Sequence, residues 1–145
     1  DCGPGSFTGV RVGLAAARAL GLGWGIGVHG YSSMAAIAAA AECDGTVIAV
    51  ALIGGHGELF VQRYATCPLA PIGPLQSLTP DAAAAAMPES HIFGSGAAQL
   101  VAARGGGIAR DHLPRAADAV LLPAALARLA PSPIYGRGAD ARPAA

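Results

Sequence analysis

The sequence predicts an α/β protein, and two features of its middle and second half predict that class. Residues Thr46 to Ile53 form an apolar, partly β-branched run, and a Gly-Gly-His-Gly turn separates it from an alternating run at Leu59 to Tyr64. Two such runs joined by glycines are typical of a β-hairpin. Beyond the hairpin, short apolar runs alternate with alanine-rich segments, which is the pattern of strands alternating with helices.

The first predicted element is a helix that begins near Ser6 and ends near Leu22. Residues 3–5 read Gly-Pro-Gly, which is a turn, and the hydroxyl groups of Ser6 and Thr8 can accept hydrogen bonds from the first free N–H groups of a helix. Glycines at 21, 23 and 25 predict its end.

Most faces of this helix carry apolar or small residues, and its only charged residues, Arg11 and Arg18, lie one heptad apart. A helix that is apolar nearly all round is usually buried on more than one side. We therefore expect a sheet on one flank of this helix and another helix on the other.

The remaining elements follow from the same signals. Ile26 to His29 predicts a strand, and Ser32 or Ser33 is the predicted cap of an alanine-rich helix from Met34 to Glu42. After the hairpin, the sequence predicts a proline-rich connection over 67–74 and strands at 75–78, 91–93 and 107–110. It predicts helices from Thr79 and over 97–103, and a helical stretch over 116–129 that either bends or restarts at Pro123.

The order of elements from Thr46 onward divides the chain. Three strands followed by alternating helices and strands is the order of a ribonuclease-H-like unit. We assign residues 46–130 to one whole lobe of this kind, residues 1–45 to the remainder of a similar first lobe, and residues 131–145 to an extended C-terminal tail. The chain begins at Asp1 in a loop-like Asp-Cys-Gly-Pro-Gly, so we expect an N-terminal part of the first lobe to be absent.

Composition excludes several classes of function. The chain has no lysine, which excludes Schiff-base chemistry and the phosphate-binding lysine of a P-loop. Its formal net charge of zero gives no long-range attraction to nucleic acid. The three cysteines form no CxxC pair, which favours free thiols in a reducing compartment. No signal peptide and no apolar run of the roughly 20 residues that span a membrane is found, so we predict a cytoplasmic protein.

The sequence lacks the residue patterns of the enzyme classes that its fold and motifs bring into question. The four histidines stand singly, without the HExxH spacing of a metallopeptidase, and no GxSxG turn offers a serine nucleophile. A ribonuclease-H-type nuclease would place carboxylates on its first strand, but the run Thr46 to Ile53 has none. The glycine loop before the first helix could hold a phosphate, but without a lysine a tight turn is favoured.

The stretch GPGSFTGVRVGLAAARALG at residues 3–21 carries a family resemblance. It closely resembles the corresponding segment of the bacterial TsaB family, an accessory subunit in threonylcarbamoyladenosine synthesis on tRNA that is also labelled glycoprotease-like or M22 peptidase-like. Weaker matches follow in order at Gly57-Glu58-Leu59-Phe60, at Gly94-Ser95-Gly96 and at Pro133-Ile134-Tyr135-Gly136-Arg137.

The resemblance implies an actin-like, Hsp70-like ATPase fold whose nucleotide site has decayed. It implies a noncatalytic subunit that pairs with the threonylcarbamoyl transferase, works beside the associated ATPase subunit of the same pathway, and meets tRNA only through the complex. ATP and metal would be held by the partner, with no cofactor in this chain. Family members also self-pair through first-lobe helices. The residues that the resemblance assigns to the interface or its support are Phe7, Thr8, Val10, Arg11, Leu14, Ala15 and Arg18.

The chain departs from the family pattern in three places. The opening strands with their Asp-Thr motif have no counterpart, Ile53-Gly54-Gly55-His56 stands where relatives often carry Asp-Ala-Arg, and Tyr-Gly-Arg replaces Tyr-Leu-Arg. Two alternatives stay open: a homodimeric binding protein of the same fold without that role, and a glycoprotease-like peptidase.

Overall fold

The computed structural model describes residues 1–137. Its elements in chain order are α1 (Phe7–Trp24), α2 (Ser33–Ala39), β1 (Val47–Gly55), β2 (Glu58–Thr66), β3 (Leu69–Leu78), α3 (Pro80–Ala86), β4 (His91–Phe93), α4 (Ala97–Arg104), β5 (Ile108–Arg110), a 3₁₀ helix (Ala116–Leu121) and α5 (Ala124–Ala127).

The five strands form one mixed sheet in the order β3-β2-β1-β4-β5. β1, β2 and β3 pair antiparallel, whereas β4 pairs parallel with β1 and with β5. The α/β class predicted from the sequence is confirmed, as are the hairpin, β4 and α4.

Helices cover both faces of the sheet, which explains why β1 is apolar without a break. Ile48, Val50 and Leu52 point to one face, where α2 packs and Tyr64 and Phe93 complete a core cluster. The alternate residues of β1 pack on the other face, in a second cluster that includes residues of α3 and α4. α2 falls within the range assigned to the first lobe, yet its apolar residues lie in the core of this sheet.

Three predicted elements differ from the structure. Ile26 to His29 is not a strand, since no described strand lies beside it and the one bridge nearby joins Gly30 to Leu129. The helical stretch predicted over 116–129 restarts at Pro123, one of the two predicted outcomes, because proline cannot donate the hydrogen bond that would continue a helix. Its two parts differ from the prediction in being a 3₁₀ helix and a short α5. α2 ends at Ala39, before the predicted end at Glu42.

β3 begins at Leu69, inside the stretch predicted as a proline-rich connection. Pro71 and Pro74 are tolerated because β3 is an edge strand, where one row of backbone N–H groups needs no partner in the sheet.

The predicted helix after the Gly-Pro-Gly turn is confirmed as α1, but its predicted burial on two flanks is wrong. Only Leu14 and Gly21 of its residues are buried. Gly21 lies against Val28, so α1 packs on the extended segment that follows it and leaves its other faces open. Of the predicted C-terminal tail, residues 138–145 lie outside the described part of the chain.

Candidate partner-binding surface

Local signals in the sequence fix both ends of α1. The Ser6 side chain accepts a hydrogen bond from the Gly9 N–H over 3.3 Å, which satisfies one of the free donors of the first turn. Gly25 adopts a left-handed conformation at the other end, and its N–H donates to the carbonyls of Gly21 and Leu22. α1 is therefore a regular helix, so the spacing of its residues determines which face each one occupies.

The seven residues predicted at the interface occupy different environments on α1. Leu14 is only 6% exposed, which places it in the packing of α1 rather than on its surface. Val10 is half-buried beside it. The exposed members are Phe7, Thr8, Arg11, Ala15 and Arg18.

Arg11 joins α1 to the C-terminal part of the chain. Its Nε donates a hydrogen bond to the Tyr135 hydroxyl over 2.9 Å, and its guanidinium carbon lies 4.0 Å from the centre of the Phe7 ring. The Phe7 and Tyr135 rings stack with centroids 5.4 Å apart and an interplanar angle of 30°. Cation–π contact and ring stacking together hold these three side chains in one exposed cluster.

Residues 134–137 hold Tyr135 in place. The Ile134 N–H donates to the Cys2 carbonyl over 2.7 Å, and the guanidinium of Arg137 lies 3.5 Å from a Glu58 carboxylate oxygen at the start of β2. The sequence indicated the Pro-Ile-Tyr-Gly-Arg motif but did not predict that Tyr135 contacts α1. Nothing in the local pattern encodes a contact between residues so distant in the chain.

The Glu58 carboxylate is the centre of this attachment. It accepts a 2.6 Å hydrogen bond from the Ser77 hydroxyl on β3. That bond, with a smaller effect of the nearby Arg137 charge, holds the pKa of Glu58 below its ordinary value, despite the opposing effect of partial burial.

A groove of 390 Å³ runs between α1 and the extended segment that follows it. The residues that line it are Asp1, Ser6, Gly9, Val10, Gly13, Leu14, Ala17, Val28 and His29. The Asp1 carboxylate at its edge is already occupied, because it accepts hydrogen bonds from the Gly3 N–H and the Ser33 hydroxyl at 2.8 Å each. Most of the remaining lining residues are aliphatic or glycine.

Large apolar side chains are exposed along α1 and just beyond it. Leu22 is 87% exposed and Trp24 is 68% exposed. Val12, Leu20 and Ile26 are also exposed. An apolar patch of this kind on a folded protein marks an interaction site or a tendency to aggregate.

A second cluster of polar residues lies near the 3₁₀ helix. His112 Nε2 and Asp118 Oδ2 are buried and lie 3.8 Å apart, too far for a hydrogen bond, and neither has a hydrogen-bond partner among the described residues. Arg115 lies 3.9 Å from the other carboxylate oxygen of Asp118. Across residues 1–137, no three of His, Cys, Asp or Glu stand close enough together to hold a metal ion.

Comparisons with known proteins show what this chain is similar to. A family model described as TsaD, tRNA N6-adenosine threonylcarbamoyltransferase, matches residues 2–68. An uncharacterized protein of Mycobacterium leprae (strain TN) is 44% identical over 63 residues, which are 43% of this chain. The chain spans only 17% of the length of that relative.

Two solved structures from Pseudomonas aeruginosa share the fold. YeaZ superposes with a TM-score of 0.74 at 24% identity, over 92% of this chain and 71% of its own. An uncharacterized protein with similarity to peptidase YeaZ superposes with a TM-score of 0.72 at 25% identity, over 93% of this chain and 70% of its own. The fold of this chain is similar to that of YeaZ.

YeaZ proteins are the TsaB family, so the resemblance predicted from the sequence is confirmed. The actin-like, ribonuclease-H-like fold class predicted for this chain is confirmed with it. None of the described helices is long and apolar enough to cross a membrane.

Proposed function

We propose that this chain is a noncatalytic accessory subunit that binds and supports the threonylcarbamoyl transferase in tRNA threonylcarbamoyladenosine modification. The observation that carries the proposal is the exposure of α1, an 18-residue helix with two buried residues, inside the part of the chain that the transferase family model matches. An apolar helix that is exposed on several faces can pack against a helix of another subunit.

The proposal assigns the chemistry to the partner. ATP and metal bind the transferase and the associated ATPase subunit of the pathway. This chain contacts tRNA only as part of the complex, which works in the cytoplasm. The zero net charge and the absence of lysine support this division, because a protein that bound tRNA by itself would need a basic surface.

The homodimeric binding protein is the main alternative, since Leu20, Leu22 and Trp24 could equally be covered by a second copy. The peptidase alternative takes its support from the structural likeness to a protein described as similar to peptidase YeaZ. A cleavage assay with a peptide mixture and an assay of bound metal address that alternative, and stoichiometric metal with peptide cleavage would contradict the accessory role.

The test is co-purification of this chain with the threonylcarbamoyl transferase of the same organism, followed by size-exclusion chromatography with light scattering. Ala15→Trp places a bulky side chain on the exposed face of α1, and Ala98→Trp places the same side chain on exposed α4. We expect a complex with the native chain and with Ala98→Trp, and none with Ala15→Trp. A native chain that stays monomeric beside the transferase contradicts the proposal, and one that elutes as a dimer with or without it favours the alternative.

A further inference from the structure

The charged residues of α1 are all of one sign. Arg11 and Arg18 are the only charged side chains in the helix, both are exposed, and neither forms an ion pair with any residue in the described part of the chain. Seven residues are nearly two full turns, so the two guanidinium groups lie on one face about 10 Å apart along the axis. An otherwise apolar helix thus carries two positive charges that nothing within residues 1–137 neutralises.

The same face continues in both directions from the arginines. Steps of three or four residues connect five exposed positions, which we name the arginine row: Phe7, Arg11, Ala15, Arg18 and Leu22. The small Ala15 at its centre allows another helix to come close, and the apolar Phe7 and Leu22 lie at its ends. The row has the composition of an interface centre, with an aromatic residue and arginines but no acid.

Arg11 is already oriented for binding. Its Nε donates to the Tyr135 hydroxyl and its guanidinium carbon lies over the Phe7 ring, while its two terminal nitrogens donate no hydrogen bond to any described residue. A guanidinium held in this way presents a planar pair of donors that matches the two oxygens of a carboxylate. Fixing it in advance reduces the side-chain entropy lost on binding.

We propose that the arginine row binds a helix of the partner subunit that carries carboxylates about one heptad apart, and that Tyr135 is the positioning residue for Arg11. The inference rests on the proposed function, because the transferase is the partner. The α1 helix of a second copy carries no acidic residue, so it offers these two arginines no counter-ion, whereas a partner helix with carboxylates does. The apolar ends of the row favour a protein over RNA, whose phosphates would need a wider basic surface.

The first test measures the affinity of the full chain for the transferase by calorimetry at low and high salt. Arg11→Gln combined with Arg18→Gln removes both charges, and the matched control Arg110→Gln with Arg128→Gln removes two exposed charges away from α1. We expect the first pair to weaken binding about tenfold or more and to abolish most of its salt dependence, and the control to leave both unchanged. Circular dichroism checks that each variant is folded.

The second test concerns Tyr135. Tyr135→Phe keeps the ring and removes only the acceptor of the Arg11 hydrogen bond, so we expect binding to weaken about fivefold. In a chain that already carries Arg11→Gln, the same change should cost nothing further, because its effect passes through Arg11. An equal loss in both backgrounds would overturn the positioning role, and Tyr31→Phe is the control for removing a tyrosine hydroxyl elsewhere.

The outcomes separate the two proposals. A native chain that does not bind the transferase overturns the proposed function and this inference together. A native chain that binds, while the Arg11→Gln/Arg18→Gln variant binds equally well with unchanged salt dependence, overturns this inference alone. Binding of the native chain to a single-stranded RNA as tightly as to the transferase, lost in the Arg11→Gln/Arg18→Gln variant, would also count against it.

Discussion

Gly136 lies directly against the ring of Phe60, so that a Cβ added to the glycine would overlap three of the ring carbons. Phe60 is buried in β2, and its ring belongs to the core cluster beneath α2. Glycine at position 136 therefore has a physical reason in this chain, because a side chain there would meet the ring. The approach lets residues 134–137 lie on the sheet and carry Tyr135 to α1.

We predict that Gly136→Ala destabilises the protein. The added methyl group must displace either the Phe60 ring or the backbone of the tail, and overpacking of this kind costs about 1–3 kcal/mol in the free energy of unfolding. Urea denaturation followed by circular dichroism measures it. Gly106→Ala is the control, because a Cβ there meets nothing within 4 Å. Equal stability of Gly136→Ala and the native chain would show that the tail is not held against Phe60.

Two glycines of α1 should respond to alanine with opposite signs. Gly21→Ala brings a methyl group onto Val28 and within 3.1 Å of the Ile26 carbonyl, so we predict a loss of about 1–3 kcal/mol. Gly13→Ala meets nothing within 4 Å and removes a flexible residue from a helix interior, so we predict a gain of about 0.5–1 kcal/mol. Thermal unfolding compares the two variants directly, and changes of the same sign would contradict the packing of α1 on the segment around Val28.

The elements predicted correctly are those whose signals are local. Ser6 and Gly25 fix the ends of α1, and the glycines between β1 and β2 fix the hairpin, through interactions within a few residues of the chain. The strand predicted at Ile26 to His29 failed because an apolar run becomes a strand only when a neighbouring strand pairs with it. The early start of β3 was missed because prolines argue against a strand unless it lies at an edge of the sheet.

The candidate surface could be predicted only in part for the same reason. Arg11 and Arg18 could be placed on one face of α1 from their spacing alone, since helical geometry is regular. Tyr135 could not, because its contact with Arg11 depends on where the last described residues cross the fold. Leu14 could not be separated from its exposed neighbour Ala15 without the direction from which α1 is covered.

We predict that Glu89→Gln destabilises the loop that leads into β4. Glu89 is buried and accepts a 2.5 Å hydrogen bond from Arg63 Nε on β2. Removing the charge leaves the Arg63 guanidinium without its counter-ion, and because Arg63 is one third exposed the loss should be about 1–3 kcal/mol rather than that of a fully buried pair. Urea denaturation measures it. Glu42→Gln, an exposed residue, should change stability by less than about 0.5 kcal/mol, and an equal effect of both changes would rule out a specific pair.

The pH dependence of the tail attachment follows from Glu58. Its folded-state pKa lies below the ordinary value of 4.5 because the Ser77 hydroxyl and then Arg137 favour the carboxylate. A group whose pKa falls on folding stabilises the folded state above its unfolded pKa and loses that contribution as the pH drops through the folded pKa. We therefore predict that the attachment of residues 134–137 to β2 is intact at neutral pH and weakens below about pH 4.5.

Carboxyl titration of Glu58 by NMR measures this directly. Ser77→Ala should raise the Glu58 pKa toward 4.5, because the Ser77 hydroxyl is the largest single cause of the shift, and Arg137→Gln should raise it in the same direction. Arg110→Gln, which removes an exposed charge from β5, should leave the titration unchanged and serves as the control for a general change in net charge. A Glu58 pKa at or above 4.5 in the native chain would contradict the attachment, because a carboxylate held by Ser77 and Arg137 resists protonation.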